Sequence, residues 1–300
     1  MHRFTRAQRG AIAGAVLALV MTLSVAFTPV TTLADTFLNQ FRIQHFAAIT
    51  IPMDLVQNMS QAAQTQAMDP ANVAALQNEL KQLGSFSTTF DQNSATKVDT
   101  ISNAAQQFSG LDVPSDLSTF SNAGQPANIY LGKSGSATYQ MNVAEVQKLM
   151  SSLGLSTQGL PDAQTTPTVT FKLDVNPAAV MEWEQNGKHL IVGQTQSPVL
   201  NVPSSVNMDE LRNDLLDFPL IPADIKAQLR AVNDWSSTLI VPIPQGATQQ
   251  QVTIHNAQGL LVKNDQMSFV LWQDNGVLHV VGTDGDANVM TVANSLKAAS

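Results

Sequence analysis

Apolar and polar positions follow different rules in different parts of this chain. Ala11 to Phe27 (AIAGAVLALVMTLSVAF) is an uncharged apolar run, and no charge occurs between Arg9 and Asp35. Arg3, Arg6 and Arg9 precede it, and Thr32-Leu33-Ala34 follows with small residues at the −3 and −1 positions. That pattern predicts an N-terminal apolar helix used as an export signal over residues 1–34. A membrane anchor over residues 10–33 fits the same pattern, with the basic flank inside in either case. Beyond it, Phe37, Leu38 and Phe41 share one face of a short helix, and His45 to Ile51 reads as a strand ended by Pro52. Residues 53–83 show weak helical spacing (Val73, Leu76, Leu80, Leu83). Residues 84–126 are the least periodic and read as loops around one helix near Asp99–Phe108.

From residue 127 the pattern sharpens. Asn128–Leu131 and Ala137–Met141 flank Gly132-Lys133-Ser134-Gly135, which reads as a hairpin. Asn142 caps a helix with Glu145 three residues on, and Val143, Val146, Leu149 and Met150 form its apolar stripe; Gly154 ends it. Thr168–Val175 alternates as a strand. Asn186-Gly187 is a tight turn between Val180–Gln185 and Lys188–Val192. Asn207 caps a helix with Met208, Leu211, Leu215 and Leu216 inward, and Pro222 begins a second at its first position, with Ile225, Leu229 and Val232 inward. Strands follow at Thr238–Ile243, Gln251–His255, Gly259–Lys263, Met267–Gln273 and Val277–Gly282, the last two joined by Asn275-Gly276. Asp286 caps a final helix with Val289, Val292, Ala293 and Leu296 inward. Helices and strands in separate blocks predict an α+β fold with an antiparallel sheet. The organisation expected is a signal or anchor at 1–34, a helical and loop-rich region at 35–126, and an antiparallel-sheet domain at 127–300.

Composition narrows the functional classes. The 300 residues contain no cysteine, so disulfides, thiolate chemistry and Cys-based metal sites are excluded. The net charge is −8, and loss of the three leader arginines would make the remainder more acidic still. Such a surface repels nucleic acid and anionic lipid headgroups.

Several islands of sequence carry a family resemblance. They are Phe37 to Gln44 (FLNQFRIQ), Gln196-Ser197-Pro198 leading to Val202-Pro203, and Asp234-Trp235 before Thr238-Leu239 and Val241-Pro242. Leu271-Trp272-Gln273 before Gly276-Val277 and Val292 to Leu296 (VANSL) complete the set. Together these resemble the extracytoplasmic domains of bacterial membrane-bound anti-sigma-factor-like regulators, and distantly the sigma-E regulatory and lipoprotein-carrier superfamily. The resemblance implies a curved antiparallel sheet with packed helices. It carries over no catalytic residue.

Motifs with chemical potential each lack an element their mechanism requires. Gly132-Lys133-Ser134 resembles the end of a phosphate loop, but the first glycine position holds Ala127. Ser94-Ala95-Thr96-Lys97, Ser205-Val206-Asn207 and Lys133-Ser134-Gly135 resemble the penicillin-binding motifs in the wrong order. Asp284-Gly285-Asp286 opens like a calcium loop, with Val289 and Ser295 where glycine and glutamate belong. Glu182 and Glu184 share a strand face on either side of Trp183, a disposition that glycoside hydrolysis could use. His45, His189, His255 and His279 all fall on predicted strands without ligand spacing.

The resulting expectation is a non-enzymatic extracytoplasmic sensory or regulatory interaction protein without cofactor or metal. It would be secreted, or anchored on the outer face of the cytoplasmic membrane through residues 10–33. A carrier of a lipophilic ligand under the curved sheet, and a cryptic hydrolase with Ser94 as nucleophile, are the alternatives. The partner would be a protein or a lipophilic ligand, not nucleic acid. Phe37, Phe41, Phe46, Trp235 and Trp272 are the candidate apolar surface.

Overall fold

The computed structural model describes residues 45–51, 82–89, 95–120, 124–217, 222–232, 238–284 and 287–299. In chain order the strands are β1 (His45–Ile51), β2 (Gly84–Thr88), β3 (Thr96–Val98), β4 (Asp112–Pro114), β5 (Asn128–Gly132), β6 (Gly135–Asn142), β7 (Thr168–Val175) and β8 (Ala178–Gln185). They continue with β9 (Lys188–Gln196), β10 (Val199–Asn201), β11 (Thr238–Pro244), β12 (Thr248–Ile254), β13 (Ala257–Lys263), β14 (Ser268–Asp274), β15 (Val277–Thr283) and β16 (Leu296–Ala298). The helices are α1 (Ile101–Gln107), α2 (Val143–Ser152), α3 (Met208–Asp217), α4 (Ala223–Arg230) and α5 (Val289–Asn294). Strand dominates, and the larger sheets are antiparallel. An eight-stranded sheet runs β12-β13-β14-β15-β9-β8-β5-β3, and a four-stranded sheet runs β10-β7-β6-β2.

The two sheets share their strands end to end. β5 continues into β6, β8 is preceded by β7, and β9 continues into β10. Gly132 faces Ala178 on one side of the break and Gly135 faces Val175 on the other, so the register does not change. The same continuity links the Ala178–Thr195 pair to the Asp174–Val199 pair. Lys133-Ser134, Asn176-Pro177 and Ser197-Pro198 therefore lie along one crease across three neighbouring strands. Pro177 and Pro198 explain the crease locally, because each lacks the N–H a ladder needs. Side chains then hold it. Thr195 Oγ1 donates to the Pro177 carbonyl at 3.1 Å, and Asn176 Nδ2 donates to the Ser197 carbonyl at 3.1 Å. The hairpin expected at Gly132–Gly135 is thus corrected: β5 and β6 do not pair, and the glycines mark a bend in one long strand.

Turn chemistry explains the true hairpins. Asn186 and Gly187 have φ of 51° and 76°, and Asn275 and Gly276 have φ of 49° and 82°, as the tight two-residue turn requires. His255 and Asn256 make a third such turn, at φ 48° and 70°, between β12 and β13. The helix starts follow side-chain caps. Asn142 Oδ1 accepts from the Glu145 N–H at 3.3 Å, and Asn207 Oδ1 accepts from the Glu210 N–H at 3.3 Å. Pro222 stands at the N-cap of α4 rather than inside its first turn.

The eight-stranded sheet is buried on both faces over β13–β15. On one face Leu261, Val270, Trp272 and Val281 pack with Met181, Trp183, Leu190 and Val192, under Ala104 of α1, Phe108 at its C-cap, and Val289, Val292 and Ala293 of α5. On the other, Leu260, Val262, Leu271 and Leu278 lie beneath Phe46, Leu239, Val241 and Ile243 of a β1–β11 pair. That pair is parallel, unlike the two larger sheets. Its outer face holds Ile49 and Ile240 against Leu216, Ile225 and Leu229 of α3 and α4. Both faces of β1 and β11 are thus apolar, as a doubly covered pair demands.

The C-terminus differs from its expected form. The cap of α5 is Asn288, whose side chain accepts from the Met290 and Thr291 N–H groups at 3.1 and 3.3 Å. The helix ends at Asn294, and Leu296–Ala298 becomes a strand paired antiparallel with β4. Leu296 is buried from this strand rather than from the helix.

Candidate functional site

Strand alternation places a polar row on the eight-stranded sheet. On β8, Ala179, Met181 and Trp183 enter the core, so Glu182 and Glu184 face the other way, and β9 likewise turns His189 and Ile191 to that face. The Asn186-Gly187 turn sets Glu184 directly opposite His189, which leaves Glu182 and His189 diagonal neighbours. Glu182 Oε1 lies 2.9 Å from His189 Nδ1, and its Oε2 accepts from Asn128 Nδ2 at 2.9 Å.

The His189 backbone is pinned as well. Its N–H donates to Asp284 Oδ1 at 2.5 Å, and its carbonyl accepts from Thr283 Oγ1 at 2.7 Å. Lys188 Nζ donates to the Asp284 carbonyl at 3.1 Å. A carboxylate that orients a mostly buried imidazole is the base half of a relay. The Thr283 side chain lies on the opposite face of the sheet, and its hydroxyl donates to the His189 backbone carbonyl. Glu184 stays exposed, so the two carboxylates on this face have different roles.

The opposite face carries a second group near the tips of the strands. His279 is 4% exposed and stacks on Trp272, with ring centroids 4.9 Å apart and planes 9° apart. Its Nδ1 has no hydrogen-bond partner. Burial holds its pKa down to about 4; Asp274 pulls it up and His255 pushes it further down. It is therefore a neutral, flat ring at ordinary pH. Asp112 sits nearby on β4, and burial raises its carboxyl above the usual range, with His255 lowering it and Asp274 raising it. Among the described residues no three His, Asp or Glu side chains are arranged to hold a metal ion.

Glutamine amides close two sheet edges. Gln228 Oε1 accepts from the Thr50 N–H at 2.8 Å while its Nε2 donates to the Thr50 carbonyl at 3.3 Å. The buried Gln194 does the same for Asp112: its Oε1 accepts from the N–H at 2.9 Å and its Nε2 donates to the carbonyl. Each side-chain amide stands in for the peptide group of a further strand.

Phe37, Phe41 and Trp235 lie outside the described residues, as do Ser94, Gly285 and Asp286. Phe46 and Trp272 are both buried, but in separate cores on opposite faces of the sheet, and are not brought together. Asn207 is a helix cap, and Asp284 grips His189. Phe86 on β2 escaped the sequence reading because residues 84–126 lack long periodicity; Gly84 to Thr88 is only five residues long. The Glu182–His189 contact was legible in principle, since a two-residue turn dictates the register around it. Among the described residues no helix is long and apolar enough to cross a membrane. No family model, curated protein or solved structure matches the chain.

Proposed function

We propose that this chain is a non-enzymatic, extracytoplasmic regulatory or sensory interaction protein of the anti-sigma-factor-associated type, built on a curved antiparallel sheet. The observation that carries the reading is the commitment of the polar row to structure. Both Glu182 oxygens are engaged, by Asn128 and His189, and the His189 backbone is held by Asp284 and Thr283. Such an array fixes the registry of β5, β8, β9 and β15 and leaves a sheet scaffold for contacts. The basic, then charge-free, leader supports export, and the acidic composition supports a protein partner over nucleic acid.

Fractionation of cells expressing a C-terminally tagged chain tests the reading. The protein is expected outside the cytoplasm or on the membrane. N-terminal sequencing from Asp35 marks a released form, and an intact Met1 marks an anchored one. A soluble cytoplasmic protein overturns the proposal. So does labelling by a β-lactam or serine-hydrolase probe that Ser94→Ala abolishes.

A further inference from the structure

We infer that the outer edge of β12 is a dimer contact, on which a second copy of this chain adds its own β12 antiparallel about a two-fold axis through Gln251. β12 is the terminal strand of the eight-stranded sheet. Its sequence, Thr248 to Ile254 (TQQQVTI), carries no charge and no proline over seven residues. Its register with β13 runs unbroken from Thr248–Lys263 to Ile254–Ala257, so no bulge turns the edge away. Charge, proline, bulges and very short strands are the usual guards of a sheet edge. Glutamine amides close the edges at Thr50 and Asp112; among the described residues no side chain does this for β12. Thr248, Gln249, Gln250, Gln251 and Thr253 are exposed, and so are Gly246, His255 and Asn256 on either side.

The His255-Asn256 turn decides which backbone groups face outward. A two-residue turn is closed by a hydrogen-bonded pair, here Ile254 with Ala257. Alternation then turns the N–H and C=O groups of Val252, Gln250 and Thr248 toward β13 and those of Gln249, Gln251 and Thr253 away from it. Two side chains are drawn back from that edge. Gln251 Nε2 donates to the Phe46 carbonyl of β1 at 3.4 Å, and Thr248 Oγ1 donates to the Lys263 carbonyl of β13 at 3.2 Å. A two-fold axis through Gln251 sets Gln249 of one copy opposite Thr253 of the other, and Gln251 opposite its own counterpart. Every outward backbone group of one copy then meets its complement in the other. The eight-stranded sheet continues across the axis into its twin.

Self-complementarity selects the occupant. A two-fold contact requires one surface that fits itself. About Gln251 the remaining cross-strand pairs are Gln250 with Val252 and Thr248 with Ile254, so no like charges fall opposite each other. A foreign segment would find no charge and no aromatic side chain on β12 to select it. The net charge of −8 on each copy opposes approach at long range, where salt screens it, while the contact itself is uncharged. The dimer therefore tightens as ionic strength rises, the reverse of an association held by ion pairs.

Sedimentation equilibrium of the purified full chain in detergent tests the inference. A monomer–dimer equilibrium is expected at about 100 μM chain, tighter in about 0.5 M salt than in about 0.05 M. Gln251→Lys sets two lysines opposite each other and should weaken the dimer at least tenfold, with the Tm of the dilute monomer unaltered. Gln251→Glu should do the same. Mixing the two variants should restore a dimer holding one of each, because the central pair then carries opposite charges. The chain has no cysteine, so Gln251→Cys supplies a single thiol at the axis. Its oxidation to a linked dimer should be at least tenfold faster than that of Gln249→Cys or Thr253→Cys, whose thiols lie beyond disulfide reach of their counterparts. A chain that stays monomeric throughout, with or without a foreign protein bound, overturns the inference. So does a dimer that survives both charge variants, as one held through residues 10–33 would, and so does a mixture of the two variants that stays monomeric. None of these readouts depends on cellular location, so their failure leaves the export test standing.

Discussion

The two halves of the creased sheet solve burial differently. In the four-stranded half, Val169, Leu173 and Val175 of β7 and Met141 of β6 pack toward α2, while Thr170, Lys172 and Gln140 face solvent. Burial alternates along β7, and one face packs inward. In the eight-stranded half, β13 reads Gly-Leu-Leu-Val and β14 reads Phe-Val-Leu-Trp, because helices cover one face and the parallel pair covers the other. The same backbone period thus appears as alternation where one face is wet and as a continuous apolar run where neither is.

The largest test of that contrast is a pair of truncations. Trp272→Ala, at 1% exposure in the doubly covered half, should cost about 3–5 kcal/mol of unfolding free energy in a denaturant titration. Thr170→Ala, on the wet face of the other half, should stay within about 0.5 kcal/mol. Equal effects would erase the distinction between the halves.

The eight-stranded half should also answer to acid through His279. Its folded pKa, about 4, lies below its ordinary value of 6.5, so the unfolded chain binds more protons between those values. Stability linked to this group is complete above the unfolded value and is lost as pH falls through the window, on the order of 3 kcal/mol. Asp112 contributes with the opposite sign, because its raised carboxyl favours the protonated folded state in acid. His279→Phe isolates the histidine, since its Nδ1 has no hydrogen bond to lose. Melting curves from pH 4 to 6.5 should show a weaker slope in the variant; an unchanged slope refutes the assignment.

A smaller effect belongs to the polar row. Glu182→Ala leaves His189 and Asn128 without a partner they now share, which should cost about 1–3 kcal/mol. A double-mutant cycle with His189→Ala should show coupling between them; strict additivity would mean the pair is a contact without energy. The smallest expected change lies in the singly covered half. Asn142→Ala removes the α2 cap and should cost about 1 kcal/mol, lowering Tm without changing the denaturant m-value.

Local chemistry made much of this fold legible. Asn-Gly at 186–187 and 275–276, the caps Asn142 and Asn207, and the alternation of Thr168–Val175 each act within a few residues, so the chain alone determined those turns, helix starts and strand faces. Competition between neighbouring signals misled at Gly132–Gly135, where glycines suited to a turn serve a bend, and at the C-terminus, where β4 captured Leu296–Ala298 as a strand. The partner of β1 depended on distance: His45–Ile51 pairs with Thr238–Pro244, a match between remote segments that no local pattern encodes. The polar row lay between these cases, since a local turn dictated its register but Asn128 and Asp284 came from other strands. What the sequence determined by itself was every feature whose free energy is settled within one turn or one alternating strand. What only the tertiary structure decided was which faces are covered twice and which edges a glutamine closes. Those outcomes depend on backbone hydrogen bonds and apolar area shared between segments that the chain holds far apart.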